Sequence, residues 1–187
     1  MGDVAPDVLR DQPTLSGERV RLEPLGPAVG DAYWAALQDP EGRRLTGTHG
    51  EFTREQTDRW LASRVDQHDR ADWAAIDLAD GGYLGEAVLN DLDPDNGVCG
   101  FRIALAGPHV YGRGFGTEIT RLVLAYAFDT VGLHRIELQV YAFNPRAQRV
   151  YEKGGFRVEG RRREALLWDG ERVDVVDMGI LRSDPRP

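Results

Sequence analysis

Residues 111–117, Tyr111-Gly112-Arg113-Gly114-Phe115-Gly116-Thr117, set three alternating glycines directly before a stretch of helical periodicity. Ile119, Leu122, Val123 and Tyr126 follow at i, i+3, i+4 and i+7, one apolar stripe of an amphipathic helix. The glycines therefore fall at that helix's N-terminus, where bare backbone N–H groups and the helix dipole suit an anion such as a diphosphate. A turn that only caps the helix is the plain alternative. Two familiar phosphate loops do not match. A Walker loop needs Lys-Ser/Thr after its last glycine, and Gly116 is followed by Thr117 with no lysine. A dinucleotide fingerprint needs G-x-G-x-x-G in an opening βαβ unit, whereas Gly112, Gly114 and Gly116 give G-x-G-x-G in mid-chain, behind several hairpin-like strands.

A second cluster lies downstream. Ile136, Leu138 and Val140 alternate as a strand, and Asn144-Pro145 opens a short helix with Asn at the cap and Pro in the first turn. Ala147, Val150 and Tyr151 share its inward face, Arg146, Arg149 and Lys153 lie on other sides, and Gly154-Gly155 ends it.

With these two motifs the chain resembles the GNAT superfamily of acyl-CoA-dependent N-acetyltransferases. The family's Q/R-x-x-G-x-G/A loop is similar to Tyr111-Gly112-Arg113-Gly114-Phe115-Gly116, with Tyr111 replacing the usual Gln or Arg and leaving the backbone cradle intact. Its later Asn, Tyr and Gly-Phe are matched by Asn144, Tyr151 and Gly155-Phe156. The resemblance is strongest from about Tyr83 to Ile180. The tail Leu166-Leu167-Trp168-Asp169-Gly170-Glu171 looks like the branch holding ribosomal-protein N-terminal and polyamine acetyltransferases. The resemblance implies acetyl-CoA as co-substrate, a small-molecule or peptide amine as acceptor, and a monomer or homodimer.

Composition agrees. The chain has 187 residues, enough for one domain with a sizeable core, and a net charge of −8 that disfavours nucleic acid and is compatible with a cationic or amine acceptor. Neither an 18-residue apolar run nor a secretory signal is present, so a cytoplasmic location without membrane partner is expected. One cysteine excludes an internal disulfide framework. His49, His68, His109 and His134 show no ligand spacing, so no metal is expected. Cys99, inside a strand-like run, reads as a buried thiol and argues against an acyl-cysteine route.

Residues 1–13 read as a disordered tail and residues 14–183 as one acetyltransferase domain. Arg19 to Leu25 reads as a strand. Helices are expected at about Ala28 to Gln38 and Thr53 to His68, with a flexible loop between. Asp72 to Leu78, Tyr83 to Asp91 and Val98 to Leu105 form an antiparallel meander turned at Asp80-Gly81-Gly82 and Asp93-Pro94-Asp95-Asn96-Gly97. The glycine-loop helix ends near Gly132, and a final hairpin turns at Trp168-Asp169-Gly170-Glu171. The expected class is α+β: a single mixed, mostly antiparallel sheet flanked by helices, with one parallel step. By resemblance this is the acyl-CoA N-acyltransferase fold, in which two central strands splay apart around the coenzyme.

The resemblance implies that an amine attacks the thioester carbonyl directly. Backbone near Ala104 and Leu105 would hold the pantetheine and polarise that carbonyl, a task that needs an N–H aimed at the developing oxyanion. Gly114, Phe115, Gly116 and Thr117 would cradle the diphosphate, with Arg113 and Arg149 as candidate phosphate contacts or solvated arginines. Tyr151 would protonate the departing thiolate, its alternative being a core tyrosine. Asn144 would orient the pantetheine or a water while capping its helix.

The general base is less defined. A lysine-like amine of pKa ~10.4 is free in about one part in 2,500 at pH 7, a deficit of about 4.6 kcal/mol, against about 1 kcal/mol for an α-amino group. Glu86 and Asp91 on the Tyr83 strand are the best-placed carboxylates, followed by Glu137 and His134. For each, an exposed strand charge is the competing reading. Arg161-Arg162-Arg163 reads as a solvated run, its alternatives being a contact to the ribose phosphate or to an acidic partner. Trp34, Trp60, Trp73 and Trp168 either line the acceptor cleft or belong to the core. A non-catalytic acyl-CoA-binding module and an ATP- or NAD-binding protein are the readings from other classes.

Overall fold

The computed structural model describes residues 4–186. Eight strands, β1 (Leu15–Ser16), β2 (Val20–Pro24), β3 (Ala71–Asp77), β4 (Tyr83–Asp93), β5 (Val98–Leu105), β6 (Arg135–Tyr141), β7 (Arg157–Trp168) and β8 (Glu171–Leu181), form one sheet. Its order is β1-β2-β3-β4-β5-β6-β8-β7, and only β5 and β6 run parallel. Among the described residues five α-helices accompany it: α1 (Gly30–Leu37), α2 (Pro40–Thr46), α3 (Arg54–Ala62), α4 (Phe115–Ala125) and α5 (Pro145–Gly154). This is the expected mixed α+β sheet flanked by helices.

Strand alternation divides the helices between the two faces. Trp73 and Ala75 of β3 join a large core with Ile119 and Val123 of α4 and Tyr151 of α5, whereas Ala74 and Ile76 point the other way, toward Tyr33 of α1 and Leu61 of α3. Ile136, Leu138 and Val140 of β6 are buried on the α4 side, as their spacing predicts. The last hairpin turns at Asp169-Gly170, both at positive φ, which suits a two-residue turn whose twist matches the strands.

Several boundaries differ from the sequence reading. The expected flexible loop before Thr53 contains α2, started by Asp39, whose side chain accepts from the Gly42 amide at 3.0 Å, and by Pro40 in the first turn. Helix α3 starts at a capping box between Thr53 and Gln56 but stops at Ala62 rather than His68. Arg64 there folds back on Trp60, donating to its carbonyl at 3.1 Å and lying over its ring. Helix α4 continues as a π-helical turn, Tyr126–Val131, before Gly132.

The N-terminal stretch expected to be disordered is packed where it is described, and residues 1–3 of it lie outside the described residues. Leu9 is fully buried in the large core. Gln12 brackets the start of β3, its amide donating to Arg70 O and accepting from Asp72 N. Trp73 Nε1 donates to Pro13 O at 2.9 Å, and the Tyr126 hydroxyl donates to Asp11 O at 3.1 Å. Buried donors that would otherwise lack partners hold the segment down. Among the described residues no helix is long and apolar enough to cross a membrane.

Candidate active site

The parallel pairing of β5 with β6 is short. Val98, Cys99 and Gly100 pair with Arg135, Ile136 and Glu137, and beyond them the strands part, although β4 still pairs with β5 as far as Leu105 and β8 with β6 as far as Tyr141. The gap opens into a cleft of about 1310 Å³. That exceeds the roughly 300–1,000 Å³ of a pocket for one small ligand.

The glycine loop forms one end of the cleft. Gly112 and Gly114 adopt φ of 73° and 88°, which a side chain would strain, and Gly114 is the N-cap residue of α4. The amides of Gly112, Arg113, Gly114, Phe115 and Gly116 donate to no backbone or side-chain acceptor among the described residues, while Thr117 N and Glu118 N close on Gly114 O. Five successive free N–H groups at a helix N-terminus are the donor set that a diphosphate requires. Gly116 is also where α4 meets α5, since a β-carbon there would touch Val150.

Arg113 does not enter this cradle. Its guanidinium lies 4.8 Å from the centre of the Phe115 ring and 4.0 Å from Asp77 Oδ2, away from the cleft. Arg149 does line the cleft, as does Arg146, which stacks 4.0 Å over the Tyr111 ring at its mouth. The Arg146–Tyr111 pair escapes the sequence reading because it joins two motifs that are far apart in the chain.

The open edge of β5 forms a wall. Ala106 N donates to Leu84 O at 2.9 Å, so by antiparallel alternation the Ala104 amide is committed to β4, and the amides of Ile103 and Leu105 face the gap. Of the expected pair, Leu105 presents its N–H and Ala104 does not; Ile103 takes its place.

Tyr151 lines the cleft from α5 with only 5% of its surface exposed, edge-on to Phe101 and Phe156. Burial pushes its phenol well above the usual value, against a smaller opposing pull from Arg102, so the proton is retained at neutral pH. No described group hydrogen-bonds its hydroxyl. Asn144 caps α5 through Oδ1, which accepts from Ala147 N at 3.1 Å, and its Nδ2 is left without a described acceptor in the cleft wall.

On the α1–α3 side the cleft ends at Glu86, a carboxylate 8% exposed whose Oε2 is buried without a hydrogen-bond partner. Its Oε1 lies 3.8 Å from Arg102 Nη2. Burial raises the Glu86 carboxyl above the usual range, and Arg102 opposes this only in part. Tyr33 and Tyr83 flank it, both raised by burial and then by the Glu86 charge, and Trp60 stacks on Tyr33 at 5.4 Å.

Asp91 is elsewhere. It sits at a bulge in β4 with φ of 54°, its carboxylate held by Asn90 Nδ2, five residues and about 17 Å of strand from Glu86. Its neighbour Asn90 pairs with Gly100, where β5 and β6 are still joined, so the two carboxylates do not converge. Glu137 lines the same end, and His134 is not part of the lining. Of the tryptophans only Trp60 lines the cleft; Trp73 is core and Trp168 packs on His49 at the hairpin tip. Arg161 and Arg162 are ion-paired with Asp174 and Asp177. Cys99 is fully buried with its thiol pushed up to about 12, foremost by burial, and donates to Asn90 O.

The sequence profile of the family described as Acetyltransferase (GNAT) domain matches residues 19–157. A prophage-derived N-acetyltransferase of Bacillus subtilis, YokL, is 25% identical over 169 residues, 90% of this chain and 93% of that protein. A spermidine N(1)-acetyltransferase of Vibrio cholerae is 32% identical over 117 residues, 62% of this chain and 67% of that protein. Among solved structures, a GCN5-related N-acetyltransferase from Brucella melitensis superposes with a TM-score of 0.77 at 30% identity, covering 92% of this chain and 80% of that one. A spermidine N-acetyltransferase from Vibrio cholerae in complex with CoA and spermine superposes with a TM-score of 0.82 at 22% identity, covering 89% and 98%, and shows the shared fold.

Proposed function

This chain belongs to the GNAT acetyltransferase family, and from that premise we propose that it transfers an acetyl group from acetyl-CoA to an amine by direct attack within a ternary complex. The observation that carries the reading is the run of five unpartnered amides from Gly112 to Gly116 at the mouth of a cleft that Tyr151 also lines. The amides hold the coenzyme diphosphate, with Arg146 and Arg149 as flanking cations. The gap between β5 and β6 takes the pantetheine arm, and Asn144 Nδ2 donates to it.

The Ile103 and Leu105 amides face the acyl group, where a fixed N–H stabilises charge that develops only in the transition state. Glu86 accepts the proton of the incoming ammonium, and its burial makes it a stronger base than an exposed carboxylate. Asp91 has no part in this step. The amine nitrogen then bonds to the acyl carbon, the carbon–sulfur bond breaks, Tyr151 supplies the proton for the departing thiolate, and the proton that the new amide nitrogen sheds returns the phenolate to a phenol through solvent in the cleft. A phenol whose ionisation is suppressed by burial remains a proton donor throughout the neutral range.

Thermal denaturation with acetyl-CoA, ATP or NAD tests the coenzyme: only a ligand that binds the native state raises Tm. A rise with acetyl-CoA alone, followed by thiol release with an amine, is the expected result. A rise with ATP or NAD alone would overturn the reading. Binding of acetyl-CoA without turnover on any amine would reassign the chain as a non-catalytic acyl-CoA-binding module.

A further inference from the structure

We propose that the acceptor is a zwitterion, an α-amino acid with an apolar side chain, whose ammonium is received by Glu86 and whose carboxylate is received by Arg102. This rests on the acetyl-transfer reading above and narrows its acceptor. Glu86 pairs with Ala104 and Arg102 with Val88, so the two side chains are diagonal neighbours on the same face of β4 and β5. Their charged ends are 3.8 Å apart, too far for a hydrogen bond. Both residues line the cleft and each keeps unused hydrogen-bonding capacity there, although Tyr33 also supports the Glu86 charge. Glu86 Oε2 is buried without a partner, and the Arg102 guanidinium, its side chain 61% exposed, makes no hydrogen bond to a described residue.

An α-amino acid matches that spacing, because standard bond lengths hold its nitrogen and carboxylate oxygens roughly 3 Å apart. Arginine adds a planar fork that takes a carboxylate through two parallel hydrogen bonds. Tyr33, Trp60, Tyr83 and the half-exposed Phe52 then offer an apolar wall to the side chain.

The same surroundings disfavour a polycation. Among the described residues, Glu86 is the acid that faces the α1–α3 end of the cleft, and the cations around it are Arg43, Arg70 and Arg102. Arg70 is held bidentately by Asp72, and Arg43 donates to Gly50 O at 2.8 Å. Toward β7 and β8, Glu137 and Glu159 are engaged by Arg135, and Asp177 by Arg162. A second ammonium would meet arginines, carboxylates already paired with arginine, or Asp91, which Asn90 holds about 17 Å of strand away from Glu86.

The test measures CoA thiol release by the full-length protein with the common α-amino acids, their methyl esters, a short peptide, and spermidine. At least one apolar amino acid is expected to exceed its methyl ester about tenfold in kcat/KM, a preference worth about 1.4 kcal/mol. In Arg102→Gln the acid-to-ester ratio should fall about tenfold from the wild-type value, and Arg102→Lys should restore part of it. Equal use of acid and ester, preference for spermidine or the peptide, or an unchanged ratio in Arg102→Gln would overturn the proposal while leaving acetyl transfer intact. Acetyl-CoA binding with no turnover on the whole panel overturns it as well. Failure of acetyl-CoA to raise Tm, seen before any amine is added, would remove the underlying reading too.

Discussion

Gly85 and Leu105 face each other across β4 and β5 so closely that a β-carbon on Gly85 would lie 2.8 Å from Leu105 Cα, and closer still to the Ala104 carbonyl. Gly85 also has a φ of 140°, outside the range that side chains adopt comfortably. The contact fixes the stretch of β5 whose Ile103 and Leu105 amides look into the cleft. Gly85→Ala should therefore lower stability by about 1–3 kcal/mol through strain and overpacking, and also reduce kcat/KM by displacing those amides. Denaturant unfolding with steady-state kinetics checks this. Loss of stability with unchanged kinetics in the folded fraction would show that the edge of β5 is not part of the machinery.

Tyr151 separates packing from chemistry. Tyr151→Phe keeps the ring against Phe101 and Phe156 and removes a hydroxyl that no described group binds, so Tm should move little. Loss of a general acid should lower kcat by about 10²–10⁴-fold while KM for acetyl-CoA stays nearly constant. An equally active variant would make this tyrosine a core residue only.

Most of the scaffold was legible where periodicity is long. Helix α4, strand β6 and helix α5 declare themselves because apolar spacing, cap and glycine stop agree. Helix α2 does not declare itself although Asp39-Pro40 is a sound start, because its seven residues carry too little apolar pattern. The N-terminal segment reads as polar, and its docking depends on Leu9 and on carbonyls offered to Trp73 and Tyr126, far away in sequence. At the site, residue types were readable but directions were not. Arg113 belongs to the loop, yet Asp77 and the Phe115 ring turn it outward. Whether Ala104 or Ile103 offers its amide is a matter of pairing parity, which only the β4 register decides. Glu86 and Asp91 look equivalent on one strand until a bulge and the covering helices bury one and expose the other.

Asn144 has two functions that can be tested apart. Asn144→Ala removes the acceptor for Ala147 N and should destabilise by about 1 kcal/mol. Asn144→Ser keeps a capping oxygen but lacks the Nδ2 donor, so it should retain most of the stability while raising KM for acetyl-CoA as much as Asn144→Ala does. If the serine variant keeps the wild-type KM, the side chain is a helix cap and nothing more.

Glu86→Gln should separate stability from activity in opposite directions. Burial holds this carboxyl above its usual value, so the native state keeps the proton over a range in which the unfolded chain has lost it. Below the unfolded value of about 4.5 both states are protonated and the group carries no ionisation penalty. As pH rises through the higher native value, the folded protein must charge a buried group, and stability is lost. The glutamine variant should thus match wild type at about pH 4 and gain at about pH 8, each 1 kcal/mol of relief appearing as about 2–4 °C in Tm. Without the base, kcat/KM should fall by about 10²-fold or more, and the rise in rate as this carboxyl ionises should disappear. A variant less stable than wild type at about pH 8 would mean that the buried carboxylate is satisfied by its surroundings. An unchanged pH–rate profile would move the base to another group.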